Sequence, residues 1–223
     1  MTLTKYLFSF ITAFVALFPV INPIGSAFII NRFIGHFDHR YRGIAIRRII
    51  SNSLAIALGS LILGHFILLM FGLAVPVIQL GGGLLICYNA WGWLKDDSDA
   101  GQKQEHGVQR VEFSRIERKL FYPISFPITV GAGTMAVIFT LMASINTRDT
   151  FLHIAENYSA IALAIVAICV ILYLVLAPGH RITRRLGVAG ELIVNKIISF
   201  LTLCIGLQIM AGGIGAIFHI PVL

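Results

Sequence analysis

Two short stretches hold the residues best placed to do chemistry. Leu17-Phe18-Pro19-Val20-Ile21-Asn22-Pro23-Ile24 aligns without gaps onto Phe121-Tyr122-Pro123-Ile124-Ser125-Phe126-Pro127-Ile128, so both carry Pro-x-x-x-Pro-Ile. Gly25 and Ser26 follow the first copy, and Thr129, Gly131, Gly133 and Thr134 follow the second. Proline lacks a backbone donor and clashes with the carbonyl four residues earlier, so each of the four prolines frees a carbonyl. A helix interrupted in this way has two extra ends. One offers N–H groups to an anion and the other offers carbonyls to a cation, a combination that suits a zwitterion. Asn22, Ser26, Thr129 and Thr134 are then either neutral contacts for a small solute or caps for the freed backbone. A plain proline kink that supports packing is the competing reading of both stretches.

The elements around these stretches are set by composition. The 223 residues are 57% apolar and 12% charged, with mean hydropathy +0.88, whereas a soluble domain carries about 25% charged residues. Uncharged runs cover 6–31, 49–94, 120–147, 157–180 and 197–223, each long enough to cross a bilayer. These features exclude a soluble enzyme. The run 49–94 is too long for one helix, since its 46 residues at about 1.5 Å each overreach a core of roughly 30 Å. It folds back near Gly72 and Pro76. The expected fold is therefore all-α and polytopic, with six transmembrane helices near 7–30, 49–71, 76–94, 121–145, 157–178 and 197–218. Nothing alternates as barrel strands do.

Irregular backbone persists at membrane depth only when it is buried in protein or lines a wet cavity, so a cavity at the prolines is expected. Gln79, Asn89 and Gln208 in the third and sixth spans can face that cavity, Gln208 most deeply, or can serve as interhelical glue. The uncharged runs contain no countercharge, which favours a neutral or zwitterionic solute over a cationic one. His65 is the ionisable group deep in a span; it reads as a packing residue, with a proton-relay role as the sharper option. Gly59, Ser60 and Gly64, Gly81 to Gly83, and Gly206, Gly212 and Gly213 read as close helix contacts, with hinges in spans three and six as the alternative. Cys87, Cys169 and Cys204 fall one to a helix and read as packing residues, with neither disulfide nor metal role. His36 and His39 near Asp38 read as a solvated turn, and no catalytic, metal or cofactor site is expected.

Three spans (1–94), a polar linker (95–120) holding His106, and three more spans (121–223) form a two-part plan. An odd number of crossings per half inverts the second half, so two inverted repeats are expected, the first helix of each broken. The net charge of +7 does not indicate nucleic acid, because the basic residues are sorted by loop. Arg32, Arg40, Arg42, Arg47 and Arg48, six Lys/Arg from Lys95 to Lys119, and Arg181, Arg184, Arg185 and Lys196 fall on one side, and only Lys5 and Arg148 fall opposite. By the positive-inside rule both termini lie outside. The first apolar run is too long for a signal-peptide core and is expected to stay in the protein.

Several segments together resemble the MarC family of bacterial six-span membrane proteins: Leu17 to Ala27 with Asn-Pro-Ile-Gly, the Arg-rich stretch 40–48, Leu80 to Ile86, and Phe126 to Thr134 with Pro-Ile-Thr-x-Gly-x-Gly-Thr. The resemblance runs nearly end to end. It implies a multi-pass inner-membrane protein grouped with amino-acid transporters and, more distantly, LysE-type exporters, some relatives carrying small neutral amino acids such as glycine and alanine. Carried over by motif position, the implied functional residues are Asn22, Pro23, Gly25, Pro127, Thr129, Gly131, Gly133 and Thr134; Ser26 and Gln208 join them as candidate substrate contacts. Ala132 departs from a Gly-Pro-Gly pattern, and Tyr88, Trp91 and Trp93 can reshape the cavity. The leading expectation is a secondary transporter of small neutral amino acids by alternating access, with sodium or a proton as the possible coupling ion and a homo-oligomer possible. An exporter of other small solutes and a non-transporting membrane scaffold are the alternatives.

Overall fold

A computed structural model describes residues 3–35, 37–95, 120–143, 145, 151–178 and 180–219. The linker expected over 95–120 lies outside the described residues except at its ends, as do His36, His106, Arg148 and the side chains of His39 and His65.

Among the described residues eight helical elements follow in order: α1 (Leu3–Ile21), α2 (Pro23–Ile34), α3 (His39–Met70), α4 (Val75–Lys95), α5 (Leu120–Thr129), α6 (Ala132–Ala143), α7 (Phe151–Leu176) and α8 (His180–Phe218). Among the described residues four stretches are long and apolar enough to cross a membrane, namely Thr4–Asn31, Arg40–Gly64, Leu152–Leu176 and Leu192–Phe218, and the bent pair α5 and α6 makes a fifth if counted as one span. The 21 residues of α4 reach roughly 32 Å at about 1.5 Å per residue, but Gln79, Asn89 and three consecutive glycines dilute its apolar character. Large apolar side chains such as Phe8, Ile62, Phe66 and Leu152 lie exposed on the outer faces. Water would penalise such surfaces, and hydrocarbon does not.

Helices α3 and α8 start well before the apolar runs that announce them, at His39 and His180 instead of near 49 and 197. Arginine and lysine are good helix formers, so the basic segments continue the helix outside the hydrocarbon. Likewise α7 begins at Phe151 instead of near 157, which puts Glu156 and Asn157 within the helix. Ser9 Oγ donates to Asn157 Oδ1 at 2.9 Å and ties α1 to α7. The fold-back after α3 falls where Gly72 and Pro76 indicate: Gly72 has φ +62°, a conformation glycine adopts without a side-chain penalty, and Pro76 sits in the first turn of α4.

The most extensive helix contact joins α4 to α8, along a seam of small residues. A Cβ on Gly83 would lie 2.7 Å from the Gly206 carbonyl, one on Gly206 would lie 2.7 Å from Cys87 Sγ, and one on Gly213 would lie 2.8 Å from the Pro76 carbonyl. Gly82 meets the side chain of Ala136 on α6 more closely still. These glycines are packing contacts, as their spacing indicates, whereas Gly59, Gly81 and Gly212 face open space. Cys87 and Cys169 pack inward, Cys204 is exposed, and all three are free thiols.

Buried apolar residues form two clusters. The first gathers Ala13, Leu17 and Ile21 of α1, Ala57 and Leu61 of α3, Ile86 of α4, Val130, then Val137 and Ile138 of α6, and Ile161, Ala164, Ile165, Ile168 and Cys169 of α7. The second gathers Ala27, Ile30 and Ile34 of α2, Ala45, Ile46 and Ile49 of α3, Leu120 and Ile124 of α5, and Leu172 and Leu176 of α7. Three of the segments that pass from one cluster to the other cross a buried polar layer: Asn22 and Ser26 between Ile21 and Ala27, Ser53 between Ile49 and Ala57, and Ser125 and Thr129 between Ile124 and Val130.

Beyond the second cluster, Arg42 of α3 donates through Nη2 to Asn31 Oδ1 of α2 at 2.8 Å and to the Leu176 carbonyl of α7 at 3.2 Å. A cation on the last carbonyls of a helix also meets the negative end of its dipole. At the same end of the molecule Lys95 lies 5.4 Å over the Trp91 ring.

Candidate functional site

The polar layer is built from the two Pro-x-x-x-Pro stretches. In the first, α1 ends at Ile21, and Asn22 adopts the left-handed conformation (φ 45°, ψ 65°) before α2 resumes with Pro23 at its first position. Asparagine tolerates that conformation better than most residues, and proline fits a helix start because the missing N–H is unpaired there in any case. Asn22 Oδ1 accepts from Gly25 N at 2.9 Å, Asn22 N donates to the Phe18 carbonyl at 2.9 Å, and Ser26 N donates to the Asn22 carbonyl at 2.8 Å. Ser26 Oγ donates to the Ile21 carbonyl at 2.9 Å. The carbonyl that Pro23 leaves without a helical donor is that of Pro19. Thr202 Oγ1 of α8 reaches it at 2.9 Å, sharing its one hydrogen with the Ile198 carbonyl at 2.7 Å.

In the second stretch the chain bends further. Tyr122 and Phe126 are extended, the Phe126–Pro127 peptide is cis, and α5 and α6 meet at 53°. Ser125 Oγ donates to the Leu120 carbonyl at 2.8 Å and Thr129 Oγ1 to the Ile124 carbonyl at 2.9 Å. Val130 N donates to the Ser125 carbonyl at 3.0 Å. In the gap-free alignment Ser125 corresponds to Ile21 and Val130 to Ser26, so the same carbonyl is served from five residues ahead in both copies, by a hydroxyl in one and by the backbone in the other.

These bonds decide what the predicted site residues do in this conformation. Asn22, Ser26 and Thr129 cap freed backbone, and all three are buried together with Thr134. Pro23 and Gly25 open α2, and Pro127 lies exposed on the outer side of the second break. A Cβ on Gly131 would lie 2.7 Å from the Pro127 carbonyl, and one on Gly133 would lie 2.8 Å from Ile86 and 3.8 Å from Val20. Gly133 and Val20 thus bring the two breaks side by side.

Gln208 lies elsewhere. With Gln79, Thr12 and Thr140 it supplies the polar part of a cavity of about 490 Å³ between α1, α4, α6 and α8, whose remaining lining is aliphatic: Ile11, Val15, Ala16, Val137, Leu141, Ile205, Ile209 and Gly212. That volume is in the range of small-molecule sites, and no charged side chain lines it among the described residues. Its deepest residues on α1 and α6, Ala16 and Val137, stand less than two helical turns from Asn22 and Thr134 respectively. Gln79 and Gln208 share this cavity as their types suggest, whereas Asn89 is not part of its lining and is exposed near the far end of α4. The expected single site is therefore a buried polar layer at the breaks with a separate open cavity beside it.

The sequence reading missed the face of α8 that meets the first break. Asn195, Ser199 and Thr202 recur at helical spacing; Ser199 and Thr202 are buried, and Ser199 Oγ donates to the Asn195 carbonyl at 2.6 Å. Asn195 Oδ1 is buried without a hydrogen-bond partner among the described residues. The signal was present as three polar residues at i, i+4 and i+7, but Asn195 falls before the uncharged run and the two hydroxyls blend into it.

Comparison with known proteins agrees with this architecture. Residues 7–218 match the family described as MarC family integral membrane protein. A UPF0056 membrane protein of Methanocaldococcus jannaschii is 26% identical, the alignment covering 92% of this chain and 95% of the relative. A second from that organism is 24% identical over 94% of this chain and 88% of the relative. The UPF0056 inner membrane protein MarC of Escherichia coli is 24% identical over 90% of this chain and 91% of the relative. No solved structure matches the chain significantly.

Proposed function

The chain belongs to the MarC family of integral membrane proteins, and from that premise we propose that it is a secondary transporter of small neutral, zwitterionic solutes such as glycine and alanine. The observation that carries this reading is an uncharged cavity of about 490 Å³ beside two adjoining helix breaks, one of them held from a third helix by Thr202. Mixed amide and hydroxyl lining accepts a small polar solute, and the absence of a fixed charge disfavours a cation or an anion held alone.

In this reading the two halves, 1–94 and 121–223, are inverted repeats of three spans each, with α4 as the third crossing and both termini on the periplasmic side, as the loop charges suggest. Alternating access follows from movement of α8 against the first break. The cavity is the outward vestibule, the polar layer the closed floor, and Arg42 with Asn31 and the Leu176 carbonyl a tie across the inner face. Sodium or a proton is the coupling ion.

An exporter of less polar solutes is the second reading, favoured by the aliphatic majority of the cavity lining. Thermal stability of the purified protein across the twenty amino acids and a set of apolar amines, with and without sodium, separates the two, because a ligand that binds only the folded state stabilises it by RT ln(1 + [L]/Kd). Selective stabilisation by glycine, alanine or serine supports the carrier, and stabilisation by apolar amines alone overturns it in favour of the exporter.

A further inference from the structure

Gly25 stands at a point where two carboxamides from different helices converge. A Cβ there would meet Asn22 Nδ2 and would sit 2.9 Å from Asn195 Oδ1. Asn22 belongs to the break itself, where its own Oδ1 is occupied by Gly25 N. Asn195 belongs to α8, and its Oδ1 is buried with no partner among the described residues. A buried acceptor left in this state is costly, and a native structure that keeps one invites an explanation. The oxygen of a carboxamide only accepts, so the missing partner is a donor. The neighbouring Nδ2 of Asn22 is a donor. Side by side, an acceptor and a donor match the two ends of a zwitterion, the ammonium to Asn195 and the carboxylate to Asn22.

Glycine at 25 lets the two carboxamides close against the first turn of α2, where a Cβ would meet both, and the α8 face that carries Asn195 also carries Thr202, whose hydroxyl holds the Pro19 carbonyl of the same break. Helix α8 therefore touches both sides of the break, at its last α1 turn and its first α2 turn. The Oδ1 atom is sealed in this conformation, so a ligand reaches it when α8 moves away from the break.

We propose that Asn195 is a specificity-determining residue whose Oδ1 receives the ammonium group of the transported zwitterion, beside Asn22 Nδ2. This deepens the carrier reading and rests on it. The exchange breaks no covalent bond and requires no co-reactant: an ammonium N–H leaves water and donates to Asn195 instead.

The test is titration of the purified full-length protein with glycine and with its N,N,N-trimethyl derivative, which keeps the charge and carboxylate but has no N–H to donate. Wild type is expected to bind glycine at least tenfold more tightly than the trimethyl compound. Asn195→Ala should weaken glycine binding about ten- to a hundredfold, the range for a hydrogen bond to a charged group, and should lose the discrimination. Asn195→Asp, which keeps the acceptor, should retain glycine binding. Without ligand, Asn195→Ala should melt no lower than wild type, because it removes an unpartnered polar atom; a merely structural asparagine would give the opposite. Equal binding of the two compounds by wild type, unchanged glycine binding by Asn195→Ala, or loss of binding in a folded Asn195→Asp each overturns the inference while leaving the carrier reading standing. Failure of wild type to bind any amino acid overturns that reading and the inference with it.

Discussion

The same six-residue pattern, Pro-x-x-x-Pro-Ile, breaks two helices in different ways. At Asn22 one residue leaves the helical conformation and the chain still reads as one 28-residue span from Thr4 to Asn31. At Tyr122 to Gly131 two residues are extended, and the flanking pieces meet at 53°. The difference lies in who satisfies the freed backbone. In the second break Ser125, Thr129 and Val130 N donate to the Leu120, Ile124 and Ser125 carbonyls of their own segment. The first depends partly on another helix, because the Pro19 carbonyl is reached by Thr202 of α8. Prolines thus determine that a carbonyl is freed, while the donors within reach determine whether the break is a local bend or a junction between elements. A junction is the one that can move with its partner.

This contrast can be broken most severely at Gly25. Gly25→Val forces side-chain atoms into the space held by Asn22 and Asn195, and overpacking of this kind costs about 1–3 kcal/mol, occasionally more. A lowered unfolding midpoint in detergent, accompanied by α8 moving away from α2, is the expected outcome, read by a spin-label distance between the two helices.

Next in size is Thr202→Val, which leaves the Pro19 carbonyl buried without its donor. A loss of about 1–3 kcal/mol is expected, measured as a shift in the denaturation midpoint. A neutral result would mean that the first break is as self-contained as the second.

Asn22 sharpens the comparison by separating capping from conformation. Asn22→Ala removes the cap on Gly25 N and places a side chain in a left-handed conformation, with an expected cost of about 0.5–2 kcal/mol, whereas Asn22→Gly should cost only a few tenths. Similar losses from both variants would show that the amide matters for more than the turn.

The smallest effect is expected in the other break. Thr129→Val deletes a bond made within its own segment, and a loss of about 0.5–1.5 kcal/mol is expected, with no change in the distance between α8 and α2. A change in that distance would show that the two breaks are coupled through Gly133 and Val20, where they touch.

Much of this arrangement was legible in the sequence, for physical reasons that can be named. Proline, and asparagine before proline, act on the backbone directly, so Pro19, Asn22, Pro23, Pro123 and Pro127 mark the breaks whatever surrounds them. Gly72 and Pro76 mark the fold-back for the same reason, and Gly83, Gly206 and Gly213 mark the seam of α4 and α8 because nothing larger fits there. Other features were hidden. The full lengths of α3 and α8 do not show in hydropathy, since helix formation continues into basic segments where burial stops. Contacts between helices distant in the chain are hidden too: nothing in the sequence pairs Thr202 with Pro19, 183 residues away, or Asn195 with Gly25. Gln208 was expected to share a site with the breaks, and a helical face, not membrane depth, decides that it lines the neighbouring cavity with Gln79 instead.

Counterflow in proteoliposomes tests the central claim most directly. Vesicles loaded with unlabelled alanine and holding the purified protein should accumulate labelled glycine or alanine transiently, with competition from external serine but not from lysine or glutamate, and the accumulation should fall in Thr202→Val. Folded protein that gives no counterflow with any small neutral amino acid would contradict the account.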